Sequence, residues 1–221
     1  MREALATSCR VMIQGRERSL PHLQRKFYHC VMGLLCFSLY AFALGREEAL
    51  LLLGFIGGAL VVGDYMRLKN PFVNHLALRI FGRVMRREEL ESFSGNSFFV
   101  LGLLVVTFLF SKPIALLAVL CLAIGDPAAA TVGSAFGKHR IIGKKSLEGA
   151  LANFFGVAFA AFLFAVGYLG HDASGSVRVS LVAGLVSMVA ELMPFPIDDN
   201  FTIPVMSAVL FSLVHSVLPL F

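Results

Sequence analysis

The sequence predicts an all-α polytopic membrane protein with about seven transmembrane helices and an amphipathic helix at the membrane interface. Three observations support this fold class. Hydrophobic residues make up 57% of the 221 residues and charged residues only 15%, whereas soluble domains carry about 25% charged residues. Apolar segments of nearly bilayer-spanning length recur along the whole chain. All but three of the 19 lysine and arginine residues fall in the N-terminal lead-in and in two alternate loops between those segments.

The first 26 residues form a basic lead-in that we expect on the cytoplasmic side, and residues 27–221 form a single transmembrane domain. The lead-in lacks the apolar core and the small-residue cleavage site of a secretory signal peptide, so we expect none. An organellar transit role stays open because the lead-in contains few acidic residues.

The predicted spans follow one another with short turns or polar loops between them. Pro113 opens the fourth span, and a proline-rich break after Met193 ends the sixth. Glycines in the second span are typical of helix packing in membranes. The approximate bounds of the seven spans are 27–44, 49–65, 96–110, 113–132, 148–169, 178–193 and 201–220.

The segment 67–94, between the second and third spans, has a different pattern. Phe72, Leu76, Ile80 and Val84 recur at helical spacing, with arginines among them. This pattern predicts an amphipathic helix lying on an anionic membrane surface.

The basic residues also predict the orientation of the chain. If the N-terminus is cytoplasmic and the C-terminus is outside, only Arg46, Lys112 and Arg178 lie outside. Every unusual polar cluster then lies on the inner side, where nucleotides are available.

The stretch 125–149 predicts a phosphate-binding segment. Asp126 closes an apolar run, and Pro127 predicts a kinked or broken helix that exposes this carboxylate. The glycines that follow allow backbone amides to approach an anion, and the lysines neutralise phosphate. The spacing does not match a P-loop, which excludes a P-loop NTPase. Ser146 and Glu148 also suit a simpler role, at the start of the fifth helix.

Two further clusters allow both a structural and a functional interpretation. Asp64 and Arg67 are spaced for an ion pair at a helix end. Near the C-terminus, Asn200 is a good helix cap, but Asp198, Asp199 and the preceding Glu191 are more acids than capping requires. Paired carboxylates suit Mg²⁺ binding and proton abstraction from a hydroxyl group.

The basic cluster at the start of the first span favours an anion site. Arg25, His29 and Gly33 share one face of the predicted helix, and Lys26 lies beside them. The alternative is a membrane anchor with an interfacial histidine.

Taken in order along nearly the whole chain, these residues resemble the CTP-dependent lipid-alcohol kinases, a family that includes dolichol kinase, phytol kinase and CTP-dependent diacylglycerol kinase. The central stretch is also similar to the corresponding loop of CDP-diacylglycerol synthase. That loop has a version with the proline-containing motif S-P-x-K-T, and this motif is absent here. The residues that carry the resemblance are Arg25-Lys26-x-x-His29 with Gly33, Asp64-x-x-Arg67, Glu91 with Gly95, Asp126-x-x-Ala129, Gly133, Gly137-Lys138, Lys145-Ser146-x-Glu148-Gly149, Glu191 and Asp198-Asp199-Asn200.

The resemblance implies a single transmembrane catalytic domain that transfers the γ-phosphate of CTP to a polyprenol, dolichol, phytol or diacylglycerol, with Mg²⁺ as cofactor. The predicted catalytic residues are Asp198, Asp199, Asp126 and His29. The predicted nucleotide- and phosphate-binding residues are Gly133, Gly137, Lys138, Lys144, Lys145, Ser146, Glu148, Arg25 and Lys26. The predicted metal ligands are Asp126, Asp199, Asp64 and Glu91.

The resemblance implies a prokaryotic inner membrane, or a plastid or endoplasmic reticulum membrane if the chain is eukaryotic. The expected partners are CTP, a lipid alcohol, membrane lipids and a second copy in a homodimer. The chain has no nucleic-acid-binding motif, so nucleic acid is not an expected partner. Two other functions stay open: a cytidylyltransferase that makes a CDP-lipid, and a transporter or lipid-binding membrane protein without enzymatic activity.

Overall fold

The computed structural model describes residues 20–81, 89, 91–143 and 145–221; the side chains of residues 20–25 and of Phe81 lie outside that description. The helices are α1 (Leu20–Ser38), α2 (Arg46–Lys69), α3 (Pro71–Phe81), α4 (Gly95–Leu109), α5 (Lys112–Leu120), α6 (Asp126–Phe136), α7 (Leu147–Gly167), α8 (Ala173–Leu192) and α9 (Asp199–Val217). Two π-helical turns, Leu39–Ala43 and Cys121–Gly125, extend α1 and join α5 to α6. Two short strands, β1 (Arg140–Ile142) and β2 (Lys145–Ser146), lie between α6 and α7.

The predicted all-α polytopic membrane fold is confirmed. Within the described residues, six helical segments are long and apolar enough to cross a membrane: Lys26–Ala43, Arg46–Lys69, Lys112–Phe136, Leu147–Gly167, Ala173–Leu192 and Asp199–Val217. The remaining predicted span, the third at 96–110, corresponds to α4, an apolar helix of 15 residues. At 1.5 Å per residue this helix is shorter than the ~30 Å bilayer core, so seven is an approximate count of spans.

The segment Lys112–Phe136 forms the centre of the bundle. Within the most apolar 18 residues of each helix, 72% are buried in this segment and 17% in α2. Leucines and alanines cover all sides of this segment, which suits a helix surrounded by other helices. Helices α7 and α8 pack along each other, and α9 packs against α4 and α5. The outer faces carry exposed apolar side chains such as Phe55, Phe159 and Leu51. A soluble surface would rarely show so much apolar area, but acyl chains cover it in a membrane.

The predicted amphipathic helix is confirmed for residues 71–81, where α3 exposes Phe72, Leu76 and Ile80 along one side. The remainder of that prediction, including Val84, lies outside the described residues apart from 89 and 91–94. The predicted start at Arg67 is wrong, because α2 continues to Lys69 and buries the Arg67 side chain.

Of the predicted kink or break at Asp126-Pro127, the break is wrong, and the kink stays a prediction. The helix continues through this point, and the π-helical turn Cys121–Gly125 precedes it directly. Proline has no backbone N–H and clashes with the carbonyl one turn earlier, and the wider π turn accommodates both effects. As a consequence the Asp126 carboxylate is buried rather than exposed.

The predicted loop 134–147 is a β-hairpin that begins after α6 ends at Phe136. Strands β1 and β2 pair antiparallel, with Arg140 opposite Ser146. Gly143 has a φ of 55°, a left-handed conformation that glycine adopts without steric cost. The Leu147 amide donates to the His139 carbonyl at 2.8 Å, which closes the hairpin against the start of α7.

Candidate functional site

A buried ion pair joins α1 to α6. The Lys26 ammonium donates to both carboxylate oxygens of Asp126, at 2.6 Å and 2.5 Å, and both side chains are at least 90% buried. Gly33 allows this approach, because a Cβ there would lie 2.5 Å from the Ala123 Cβ in the π turn. The close crossing of α1 over the π turn therefore places Lys26 beside Asp126.

A second lysine connects the hairpin to the ends of α8 and α9. Lys145 Nζ lies 3.5 Å from Glu191 Oε1 and 4.0 Å from Asp199 Oδ1, and it also donates to the backbone carbonyl of Glu191. The last carbonyls of a helix have no partner within the helix and carry its negative end, so a lysine stabilises them.

These two pairs belong to one electrostatic group. Lys26, Asp126, Lys145 and Asp199 are all near enough to Glu191 to act on its charge. The group gathers side chains from α1, α6, β2, α8 and α9, which are distant in sequence. The group contains two ammonium groups and three carboxylates, a composition suited to holding a polyanion and a divalent cation.

A cleft of about 580 Å³ opens beside this group, within the size range of small-ligand sites. Charged and small residues line it: Ala129, Ala130, Gly133, Ser134, Arg140, Gly143, Lys145, Ser146, Gly149, Ala150, Glu191 and Leu192. Of the predicted phosphate-binding residues, Gly133, Lys145 and Ser146 line the cleft, whereas Lys138 is exposed on the hairpin.

Close backbone contact between α6 and α7 forms one wall of the cleft. A Cβ on Gly149 would lie 2.8 Å from the Ala129 carbonyl oxygen and 3.3 Å from the Gly133 Cα. A Cβ on Gly137 would lie 2.7 Å from Ser146 Oγ. These glycines are therefore required for packing, whatever else they contact.

Ser146 caps α7, as its simpler interpretation predicts, because its hydroxyl oxygen accepts from the Gly149 amide at 3.2 Å. Glu148 accepts from His139 Nδ1 at 2.7 Å and from the His139 amide at 3.2 Å. Because Ser146 and Gly149 line the cleft, the N-terminus of α7 and the positive end of its dipole lie at the cleft wall.

The acidic cluster before α9 is arranged differently from the prediction. Asp198, not Asn200, caps the helix, accepting from the Asn200 amide at 2.9 Å. The Asn200 side chain is buried instead: its Oδ1 lies 3.0 Å from His29 Nδ1, and its Nδ2 donates to the Gly95 carbonyl at 3.2 Å. The predicted Asn200 cap is therefore wrong, and Asn200 ties α9 to α1 and α4.

Glu89 lies at the same junction. A Cβ on Gly95 would lie 2.8 Å from Asn200 Nδ2, 3.1 Å from Glu89 Oε1 and 3.9 Å from the His29 Cε1. Sequence reasoning missed Glu89 because the acid-to-glycine spacing pointed to Glu91. Glu89 is buried, whereas Glu91 is exposed.

Asp64 joins α2 to α4. Its Oδ1 accepts from Arg67 Nε at 2.7 Å, and its Oδ2 accepts from the Ser94 amide, the Ser94 hydroxyl and the Ser97 hydroxyl at 2.8, 2.8 and 2.6 Å. Both oxygens are used in holding the start of α4. This geometry agrees with the predicted helix-end ion pair and gives Asp64 a structural role.

The predicted metal ligands do not form one cluster. Asp64 and Glu91 take the positions just given, and within the described part of the chain no group of three His, Cys, Asp or Glu side chains is arranged to hold a metal ion. Asp126 and Asp199 both act on the charge of Glu191 in the electrostatic group. The side chains of Arg25 and Lys144 lie outside the described part of the structure.

A polar layer lies beneath the ion pair inside the bundle. Asn153 and Ser187 are fully buried beside Gly125, where a Cβ would lie 2.8 Å from Asn153 Nδ2 and 2.7 Å from Ser187 Oγ. Neither side chain has a nitrogen or oxygen hydrogen-bond partner within the described protein atoms, although the Cys121 thiol lies near Ser187. Sequence analysis missed both residues, because single polar residues in an apolar span give no local signal. A glycine before Asp126 is needed to make room for them.

Comparisons with known proteins agree with the resemblance seen in the sequence. The chain is 32% identical over 206 residues to CTP-dependent diacylglycerol kinase 1 of Eremothecium gossypii, covering 84% of this chain and 64% of that protein. It is also 32% identical over 206 residues to CTP-dependent diacylglycerol kinase 1 of Schizosaccharomyces pombe, covering 87% of this chain and 93% of that protein. A probable chloroplastic phytol kinase 2 of Glycine max is 29% identical over 212 residues, covering 88% and 67%.

The chain thus spans slightly under two thirds of the Eremothecium relative and nearly all of the Schizosaccharomyces relative. No protein-family model matches the chain, and no solved structure matches it. Because the Schizosaccharomyces relative is similar over almost its whole length, these relatives are sufficient to assign the family. The chain belongs to the CTP-dependent lipid kinase family.

Proposed function

We propose that this protein transfers the γ-phosphoryl group of CTP to the hydroxyl group of a membrane lipid alcohol, giving a lipid monophosphate and CDP. The observation that carries this proposal is the electrostatic group at one end of the bundle, which brings Lys26 and Lys145 together with Asp126, Glu191 and Asp199. Phosphoryl transfer depends mainly on positioning and on neutralising charge, which such a group supplies.

The cleft beside the hairpin suits the triphosphate. Arg140 and Lys145 line it and offer positive charge, and the start of α7 adds the positive end of a helix dipole. The Gly133 and Gly149 backbone keeps this wall free of side chains, so phosphate oxygens can approach closely.

Asp126 and Asp199 are the residues we assign to Mg²⁺. They fit the ion chemically, since Mg²⁺ prefers oxygen ligands and is bound in kinases by one or two carboxylates together with substrate phosphates, so three protein ligands are not required. When bound, the ion would neutralise charge on the phosphates. The Lys26 ammonium, which now neutralises Asp126, would then become available to a phosphate oxygen.

The acceptor's hydrocarbon would lie among the membrane spans, with its hydroxyl at the inner interface. The strand β1 supports this route, because Ile141 and Ile142 are exposed next to the cleft-lining Arg140. We assign the site to the cytoplasmic side, with the N-terminus inside, on the distribution of basic residues. The named relatives make diacylglycerol and phytol the first alcohols to test.

The experiment is an assay of the purified protein with each of CTP, UTP and ATP, labelled in the γ-phosphate, against diacylglycerol, phytol, farnesol and a polyprenol. We expect label in a lipid monophosphate and release of CDP. Release of pyrophosphate with formation of a CDP-lipid would favour the cytidylyltransferase alternative. The absence of labelled lipid for every alcohol would overturn the proposal.

A further inference from the structure

We propose that Glu191 is the general base that accepts the hydroxyl proton of the lipid alcohol. This inference rests on the proposed kinase function and adds a catalytic residue that the sequence analysis did not assign. The sequence analysis gave a catalytic role to Asp198 and Asp199, and the geometry of the carboxylates points to Glu191 instead.

Glu191 lies in the last turn of α8, and its side chain is 90% buried at the wall of the cleft. One carboxylate oxygen, Oε1, is 3.5 Å from Lys145 Nζ. The other, Oε2, is buried and has no hydrogen-bond partner among the described protein atoms. A buried polar atom in this state calls for a ligand or a functional explanation. The hydroxyl group of the lipid alcohol would be such a ligand if it donated a hydrogen bond to Oε2.

The neighbouring carboxylates are engaged or exposed. Both oxygens of Asp126 accept from Lys26. Asp198 Oδ1 accepts from the Asn200 amide at 2.9 Å as the cap of α9. The Asp199 side chain is 43% exposed and 4.0 Å from Lys145. Glu191, in contrast, is buried, lines the cleft and has an oxygen that can accept a further hydrogen bond.

Charged groups of both signs lie near Glu191. Within the described residues, Lys26 on α1 and Lys145 on β2 are the positive groups that act on its charge, and Asp126 on α6 and Asp199 on α9 are the negative ones. Arg140 on β1 also lines the cleft.

The proposed step balances as follows. The hydroxyl O–H bond breaks and its proton moves to Glu191, while the hydroxyl oxygen forms a bond to the γ-phosphorus. The bond between the γ-phosphorus and the bridging oxygen breaks, and its electron pair leaves with CDP. Glu191 returns its proton to solvent after the products leave.

The test compares Glu191→Gln with the wild-type protein at saturating CTP and alcohol. Glutamine keeps the size of the side chain and removes its ability to accept a proton. We expect kcat to fall by about 10²- to 10⁴-fold, the usual contribution of a general base. We also expect the Kd for CTP, measured without alcohol, to change less than about twofold, and the acidic limb of the kcat–pH profile to disappear. A purely structural role would not produce this combination.

Three further variants control for folding and for assignment. Glu47→Gln changes an exposed glutamate at the opposite end of the bundle and is expected to keep wild-type activity. Glu191→Asp shortens the base without removing it, and we expect it to retain more activity than Glu191→Gln. In Asp198→Asn the cap is preserved, because asparagine caps as well as aspartate, and we expect a smaller loss than in Glu191→Gln.

The outcomes distinguish this inference from the proposed function. If the wild-type protein phosphorylates an alcohol and Glu191→Gln keeps a kcat within about threefold of it, Glu191 is not the base. A larger loss in Asp198→Asn than in Glu191→Gln would assign the base to Asp198 and overturn the inference. A wild-type protein that phosphorylates no alcohol would overturn the proposed function and this inference with it.

Discussion

The Lys26 ammonium lies 2.6 Å and 2.5 Å from the two carboxylate oxygens of Asp126, one hundred residues later in the chain, and both side chains are buried. A buried ion pair stabilises a protein little in net terms, because desolvation offsets much of the Coulomb attraction. Its retention inside a membrane bundle therefore favours a functional explanation. Here the pair joins α1 to α6 within the electrostatic group beside the cleft.

Breaking this pair on one side is the first prediction. We expect Lys26→Met to lower the unfolding free energy by about 3–5 kcal/mol, because it leaves Asp126 buried without its counter-charge. The double variant Lys26→Met with Asp126→Leu is expected to recover most of that stability and to remain inactive. Thermal unfolding in detergent and a phosphoryl-transfer assay measure the two effects. Activity in the double variant would show that the pair is only structural.

Asp64 provides the second prediction. We expect Asp64→Asn to reduce thermal stability, because asparagine cannot accept from all of Arg67, Ser94 and Ser97. The Mg²⁺ concentration for half-maximal activity should stay unchanged in this variant and rise in Asp199→Asn. The exposed Glu91→Gln serves as the comparison and is expected to alter neither quantity. A raised Mg²⁺ requirement in Asp64→Asn would restore Asp64 as a metal ligand.

The third prediction concerns the contact between α6 and α7. In Gly149→Ala the new methyl group would lie 2.8 Å from the Ala129 carbonyl oxygen, so the two helices must move apart. We expect weaker CTP binding, by tenfold or more (about 1.4 kcal/mol or more), measured by titration of the purified protein. Gly167→Ala on the same helix has no atom within 4 Å of the new methyl and is the matched control. Equal affinities in the two variants would contradict the packing argument.

The fourth prediction separates Asn200 from the cap residue beside it. Asn200→Ala removes the bonds to His29 and to the Gly95 carbonyl inside the bundle, which are the polar links from α9 to α1 and α4 described above. We expect it to lower stability by more than Asp198→Ala, which removes a helix cap worth about 1 kcal/mol. Comparing the two unfolding temperatures checks this order. A larger effect of Asp198→Ala would indicate that Asn200 contributes little to holding α9 against α1 and α4.

The spans could be predicted from the sequence because each depends on a long apolar run, a property of composition that needs no tertiary information. The course of the chain at Asp126 could not. Pro127 predicts a break, but the π turn that accommodates it depends on packing against Gly33 and on Asn153 and Ser187. Such a turn has no local sequence signal.

In the candidate site, too, the individual residues could be predicted from the sequence but their pairing could not. Lys26, Asp126, Lys145 and Asp199 were identified individually as charged residues near the ends of predicted spans, where charge is costly without a partner. Which lysine neutralises which carboxylate depends on contacts between distant helices, so the pairing of Lys26 with Asp126 was not predictable. The cap of α9 was misassigned by two residues, because both Asp198 and Asn200 are good capping residues and only tertiary contacts distinguish them.

The most direct test of the account measures transfer of the labelled γ-phosphate from CTP to diacylglycerol and phytol by the purified protein in lipid nanodiscs with Mg²⁺. The wild-type protein is compared with Asp126→Asn and Asp199→Asn. We predict a labelled lipid monophosphate from the wild-type protein and a loss of at least about 10²-fold in each variant, because removing a group that stabilises transition-state charge typically costs that much. Full activity in both variants, or no labelled lipid from the wild-type protein, would contradict the assignment of phosphoryl transfer to this cleft.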